Sequence, residues 1–193
     1  MVQNNIKKLA VFASGNGSNA EKIFEHFKGK DNVGVALLLT NNPKARVIKR
    51  AEKYNVPVEV FNRKRFYDTD EITEMLLSHE INLIVLAGFM WLVPPSLVKA
   101  FPDKIVNIHP ALLPKFGGKG MYGEFVHKAV LEAKEKESGI TIHYVNDRYD
   151  EGQIIFQAKC SIAPEETPDT LADKIHLLEH KHYPLVIENI LLK

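Results

Sequence analysis

Asn107 and His109 close an apolar run, Lys104-Ile105-Val106-Asn107-Ile108-His109-Pro110. In an extended chain, alternation puts both side chains on the same side. A carboxamide N–H beside an imidazole suits acyl transfer. The amide stabilises negative charge growing on a carbonyl oxygen, and the imidazole moves a proton near neutral pH. Read alone, the segment is equally compatible with a structural histidine. Tyr149-Asp150-Glu151-Gly152 is a turn with two carboxylates, which in isolation reads as solvated. Asp150 acquires a chemical role if that turn folds over His109. Its charge would then hold the imidazolium and raise the histidine pKa.

Ser14-Gly15-Asn16-Gly17-Ser18-Asn19-Ala20 follows one apolar run and opens an amphipathic one. Glycine lets the chain turn tightly and approach an anion, and a helix start offers free N–H groups. Ser18 and Asn19 add side-chain donors suited to a terminal monophosphate. The structural alternative is a plain turn with Ser18 as N-cap. The spacing also fits the dinucleotide fingerprint. That site needs an acidic residue at the next strand end, where Thr40-Asn41-Asn42 stands instead. NAD is thereby disfavoured, and Arg46 alone keeps an NADP reading open. His176 and His180 have metal-ligand spacing, but no His-Glu-x-x-His arrangement or nearby cysteine supports them, so no metal is expected. No Ser or Cys stands in a nucleophile elbow. Cys160, in an alternating segment, reads as a small buried hydrophobe.

These loops need a frame. Residues 9–12, 33–39, 56–61, 83–87 and 105–108 read as strands, with helices over 19–27, 44–54 and 68–78 between them. Continuous apolar strands alternating with helices predict a mostly parallel central sheet with helices on both faces. Later segments differ. A helix over 125–137 precedes alternating strands at 139–145 and 153–162, which predict an antiparallel C-terminal part. The last helix, 169–192, is expected to end or kink at Pro184. In such sheets ligands bind beyond the carboxyl ends of the strands. Loops 14–19, 88–91, 107–115 and 147–152 are therefore expected to converge.

The 193 residues, 45% hydrophobic and 25% charged, suit one domain spanning 1–193. A net charge of +1 provides no basic field for nucleic acid. No apolar stretch approaches the roughly 18 residues of a membrane span. One cysteine and a polar N-terminus without a signal core point to the cytoplasm.

Taken in order, the motifs resemble the folate-dependent formyltransferases through nearly the whole chain. The markers are the glycine loop, Leu86-Ala87-Gly88-Phe89-Met90 and Asn107-Ile108-His109-Pro110-Ala111-Leu112-Leu113-Pro114-Lys115. Gly139-Ile140-Thr141-Ile142-His143-Tyr144-Val145, Asp150-x-Gly152 and Glu179-His180 before Tyr183-Pro184-Leu185-Val186 follow. The resemblance implies an α/β, Rossmann-like formyltransferase fold. Its N-terminal half, about 1–100, would bind phosphate, and its C-terminal half, about 101–193, would carry the folate cleft and the chemistry. It implies small-molecule partners, 10-formyltetrahydrofolate as formyl donor and glycinamide ribonucleotide as acceptor, with no metal, in a monomer or weak homodimer. Asn107, His109 and Asp150 would be catalytic. Gly15, Gly17, Ser18 and Asn19 would hold the acceptor phosphate, and His176 and Glu179 its sugar. Arg63, Met90, Trp91, Leu92, Val93, Asn107, Asn146, Asp147, Arg148, Tyr149 and Asp150 would bind folate, with Arg65 the alternative to Arg63.

Two features depart from the family pattern. Many relatives have arginine where Trp91 stands, and the 116–123 segment is longer and richer in glycine. Sister enzymes carry an extra domain at one end, expected to be absent here. Another formyltransferase, a formyltetrahydrofolate hydrolase, an NADP-binding protein and a non-catalytic sensor are the competing readings.

Overall fold

The computed structural model describes residues 6–193, so the polar start at 1–5 lies outside the described residues. Strands β1 (Lys7–Phe12), β2 (Val33–Thr40), β3 (Val58–Val60), β4 (Leu83–Leu86) and β5 (Ile105–His109) pair in parallel. β6 (Glu137–Tyr144) pairs antiparallel with β5, and β7 (Ile154–Ser161) antiparallel with β6. The spatial order is β3-β2-β1-β4-β5-β6-β7, one sheet with strands from both halves of the chain.

The helices are α1 (Ser18–Phe27), α2 (Val47–Lys53), α3 (Arg63–Tyr67), α4 (Glu71–Ser78), α5 (Pro95–Ala100), α6 (Glu124–Glu132) and α7 (Pro168–Leu191). Alternation along the strands feeds two cores. Leu9, Val11, Leu83 and Val85 pack with α1, α2, α6 and α7 on one face. Ala10, Phe12, Ile84 and Leu86 pack with α3, α4 and α5 on the other. Buried strands sandwiched between two helical layers explain the near-continuous apolar runs.

The structure corrects several sequence expectations. α3 and α5 were not expected, because one or two helical turns carry too little periodicity. α2 is shorter than 44–54, and α6 stops at Glu132 so that β6 can begin at Glu137. α7 does not end at Pro184 but runs on to Leu191. Proline inside a helix costs about 3 kcal/mol. Burial of Tyr183, Val186 and Ile187 around it offsets that cost. The Tyr183 hydroxyl, fully buried, donates to the carbonyls of Leu86 at 2.9 Å and Val106 at 3.2 Å, tying α7 to the ends of β4 and β5. Cys160 is half-buried on β7 rather than fully buried, and burial pushes its thiol pKa up. Among the described residues no helix is long and apolar enough to cross a membrane.

Candidate active site

The chain reverses its direction of growth across the sheet between β1 and β4. Loops leaving these two strands diverge and open a cleft, as the topological switch point of such sheets requires. Ser14 joins the loops: its N–H donates to the Gly88 carbonyl at 3.1 Å, and its hydroxyl accepts from the Met90 N–H at 3.0 Å.

α1 begins at Ser18, with Gly17 as N-cap in the left-handed conformation (φ 74°) and no side chain capping it. Ser18 is thus not the N-cap, and the first helical N–H groups stay available to an anion. A Cβ on Gly17 would lie 2.3 Å from Val47 Cγ2 and 3.1 Å from the Val47 Cα. Gly17 is therefore fixed by its packing on α2 as well as by its φ. Gly15 differs, because a Cβ there meets nothing within 4 Å and would project into open space. Arg50 holds the loop from α2. Its Nε donates to the Asn16 carbonyl at 2.8 Å and its Nη2 to Asn16 Oδ1 at 3.1 Å, while Nη1 pairs with Glu21. Thr40, Asn41 and Asn42 bring no carboxylate to the end of β2, and Arg46 is exposed at the start of α2.

The second group lies where β5 meets β6. Their antiparallel register sets Asn107 opposite His143 and His109 opposite Thr141. Asn107 Nδ2 lies 3.2 Å from His143 Nε2 and 3.5 Å from Asp150 Oδ1. His143 Nδ1 lies 2.8 Å from the Tyr144 carbonyl. A carbonyl only accepts, so Nδ1 carries the proton and Nε2 accepts from Asn107. The same logic puts the His109 proton on Nε2, 2.7 Å from the Phe116 carbonyl. His109 Nδ1 then faces Asp150 Oδ2 at 3.5 Å.

Asp150 itself is in the left-handed region (φ 57°), a conformation a non-glycine residue keeps only under constraint. The constraint is visible: Oδ2 accepts the Gly118 N–H at 2.9 Å, and Oδ1 lies 3.6 Å from His143 Nε2. A Cβ at Gly152 would lie 1.7 Å from the Tyr144 carbonyl, so glycine lets this turn close against β6.

Burial pushes the His109 pKa below its ordinary value, although Asp150 and the Phe116 carbonyl both act to raise it. Asp150 pulls the pKa upward as the sequence suggested, but desolvation outweighs it. Burial drives the Asp150 carboxyl up. The polar groups packed against it, His143, His109 and the Gly118 N–H, more than reverse this, leaving it below the usual range. Near neutral pH the pair is an ionised carboxylate facing an unprotonated nitrogen, a ready place for one incoming proton.

Both groups line a single cleft of about 530 Å³. That is the size of a ligand pocket. Gly15, Gly17, Ser18, Asn19, His176 and Glu179 are among its lining residues. Asn19 Nδ2 donates to Glu179 Oε2 at 2.8 Å. Burial raises the Glu179 carboxyl pKa against the opposing pull of Asn19 and His176. His176 stacks on His180 with ring centroids 6.1 Å apart.

Met90, Trp91, Leu92, Val93, Arg148 and Tyr149 also line the cleft, Val93 chiefly as a core residue at 2% exposure. Trp91 caps an aromatic cluster with Phe61, Phe66, Tyr67 and Phe89. Arg63 lies outside the main cleft wall, its guanidinium 4.8 Å from the Tyr67 ring centre and 5.8 Å from that of Trp91. Arg65 instead pairs with Glu59 and Glu71, which leaves Arg63, set against the Tyr67 ring, as the one of the two without an ion pair among the described residues. Asn146 and Asp147 do not line the cleft. Asn146 Oδ1 accepts the Arg148 N–H at 2.9 Å to shape the turn, and Asp147 is exposed on it. Sequence reasoning gave no role to His143, to His127 or to the glycine-rich 118–123 wall. A histidine inside the apolar run of β6 was the available signal for His143.

A phosphate-ready helix start and a buried Asn–His–Asp–His cluster share one cleft on a Rossmann-like sheet. The sequence model of the formyl transferase family matches residues 7–187, and the chain belongs to that family. Phosphoribosylglycinamide formyltransferase of Bacillus subtilis (strain 168) is 42% identical over 191 residues, spanning 96% of this chain and 95% of the relative. The chloroplastic phosphoribosylglycinamide formyltransferase of Arabidopsis thaliana is 44% identical over 187 residues, covering 94% of this chain and 64% of that longer protein. Glycinamide ribonucleotide transformylase 1 from Geobacillus kaustophilus superposes with a TM-score of 0.87 at 40% identity, covering 97% of this chain and 100% of that one.

Proposed function

We propose that this protein transfers the formyl group of 10-formyltetrahydrofolate to the amine of glycinamide ribonucleotide, a step of purine biosynthesis. The observation that carries the reading is the joining of the uncapped α1 N-terminus and the Asn107–His109–Asp150–His143 cluster in one cleft. The names of the relatives support formyl transfer to that acceptor. The single cysteine, which allows no intrachain disulfide, supports a reducing setting such as the cytoplasm.

The acceptor phosphate sits on the α1 N-terminus, and Glu179 and His176 meet its sugar. The pterin lies along Met90, Trp91 and Leu92, near the Arg148–Asp150 turn. The amine lone pair attacks the formyl carbon, and the carbonyl electrons move to oxygen. Asn107 stabilises that oxyanion with the N–H that His143 does not hold. The proton released by the amine settles between His109 Nδ1 and Asp150 Oδ2, and the resulting imidazolium adds positive charge beside the oxyanion. Collapse breaks the bond from carbon to N10, which takes up that proton and leaves as tetrahydrofolate.

Folded protein given both substrates should form formylated acceptor and tetrahydrofolate in equal amounts. Donor consumption without acceptor would favour a hydrolase instead. Binding separates the two ends of the cleft. Gly15→Val places a side chain in the open space of the loop and should weaken acceptor binding about tenfold or more, about 1.4 kcal/mol. Calorimetry should show donor binding and Tm unchanged, and an equal loss for both ligands would make the loop structural. Gly17 is unsuitable for this test, since its Cβ would strike the Val47 side chain of α2. Arg63→Ala should raise the donor KM by about fivefold to tenfold, the scale of one lost charge contact near 1 kcal/mol. The acceptor KM should stay constant, and an unchanged donor KM would remove Arg63 from the folate site.

A further inference from the structure

His127 lies on the inward face of α6, in the cleft wall shared with Ile175, His176 and Glu179 of α7. It is 4% exposed. Its Nδ1 is sealed from solvent and has no hydrogen-bond partner among the described residues. No partner is found for Nε2 either, which leaves that nitrogen to the cleft. A buried histidine with neither nitrogen satisfied by protein is rare, because unmade hydrogen bonds are costly.

The proton position follows from these surroundings. An enclosed N–H without an acceptor is worse than an enclosed lone pair without a donor. The proton therefore belongs on Nε2, and Nδ1 keeps the lone pair. Burial pushes the His127 pKa down, and the nearby His176 and His109 act in the same direction, so the ring stays neutral at physiological pH. Those two neighbours also locate it: under the proposed function His176 would meet the sugar and His109 the reacting centre. A neutral single donor suits an uncharged oxygen rather than a phosphate, which the α1 N-terminus already serves.

We infer that His127 is a specificity residue for the acceptor, donating its Nε2–H to a neutral oxygen of the ribosyl-amide segment between the phosphate and the reacting amine. The inference rests on the proposed function and adds to it the recognition of the acceptor's middle. An acceptor that lacks such an oxygen would leave two buried nitrogens unsatisfied, so the contact discriminates against it.

The test is calorimetric binding of glycinamide ribonucleotide and of 10-formyltetrahydrofolate to wild type, His127→Leu and His127→Gln, with Tm recorded for each. His127→Leu should weaken acceptor binding about tenfold or more, the scale of one lost hydrogen bond to a buried group. Donor binding should stay within about twofold. His127→Gln, which restores an N–H near the Nε2 position, should recover most of the lost affinity. Wild-type acceptor affinity in the leucine variant would overturn the inference alone. So would parallel loss of both ligands with a lowered Tm and no recovery by glutamine. Failure of the wild type to bind glycinamide ribonucleotide would overturn the proposed function together with it.

Discussion

Asn107→Ala and His109→Ala should each lower kcat by on the order of a hundredfold or more, with little change in the acceptor KM. The expectation comes from where the two side chains sit. Both stand at the end of β5 and line the cleft, whereas the proposed phosphate site is the start of α1. Asn107 has one N–H committed to His143 and the other only 3.5 Å from Asp150, weak enough to be given up to an oxyanion. A fixed donor of this kind is worth about 2.7–4 kcal/mol in the transition state. His109 is locked by the Phe116 carbonyl so that Nδ1, not Nε2, receives the proton. Alanine at either position removes interactions that matter after the substrates have bound. Steady-state kinetics with both substrates decides the matter. A raised KM at unchanged kcat would make the two residues binding groups instead.

Asp150→Asn should lower kcat by about a hundredfold, the low end of what a positioned acid–base group contributes. It should also move the acidic limb of the kcat/KM profile to lower pH. The sign follows from the opposing forces on His109. Burial depresses its pKa and the Asp150 charge partly restores it, so removing that charge lets the pKa fall further. The active form has His109 unprotonated, so activity rises as pH increases through the histidine pKa, and that rise should begin earlier in the variant. The plateau is nonetheless lower, because the arriving proton has lost its carboxylate. Asparagine keeps the shape of the turn and can still accept the Gly118 N–H. A variant with the wild-type rate and an unshifted limb would return Asp150 to a structural role in its turn.

What could be read from the residue order depended on how local the determinant was. The glycine loop was legible because strand, glycines and helix start are contiguous, and the structure places them at the switch point. Alternation alone put Asn107 and His109 on one side of their strand, and both line the cleft, but it left a structural histidine equally open. The proximity of Asp150 to His109 was not, because it depends on the β5–β6 pairing and on a left-handed residue held by the Gly118 N–H. His143 escaped for the same reason: its position opposite Asn107 is a matter of register between strands far apart in sequence. The upward pull of Asp150 on the His109 pKa can be read in the residue order, whereas the larger downward push of desolvation appears only once the core has closed over the ring. The continuation of α7 past Pro184 likewise depends on the burial of Tyr183, Val186 and Ile187, which no local signal reports.

The most direct test of the account is a single-turnover experiment with 10-formyltetrahydrofolate carrying carbon-13 in its formyl group, followed by NMR in the presence of glycinamide ribonucleotide. The account predicts that the label passes from the donor to the acceptor amide at the rate at which tetrahydrofolate forms, without free formate, and that Asn107→Ala slows both processes equally. Label appearing as formate, or staying on the donor in protein shown to be folded and to bind both substrates, would contradict it.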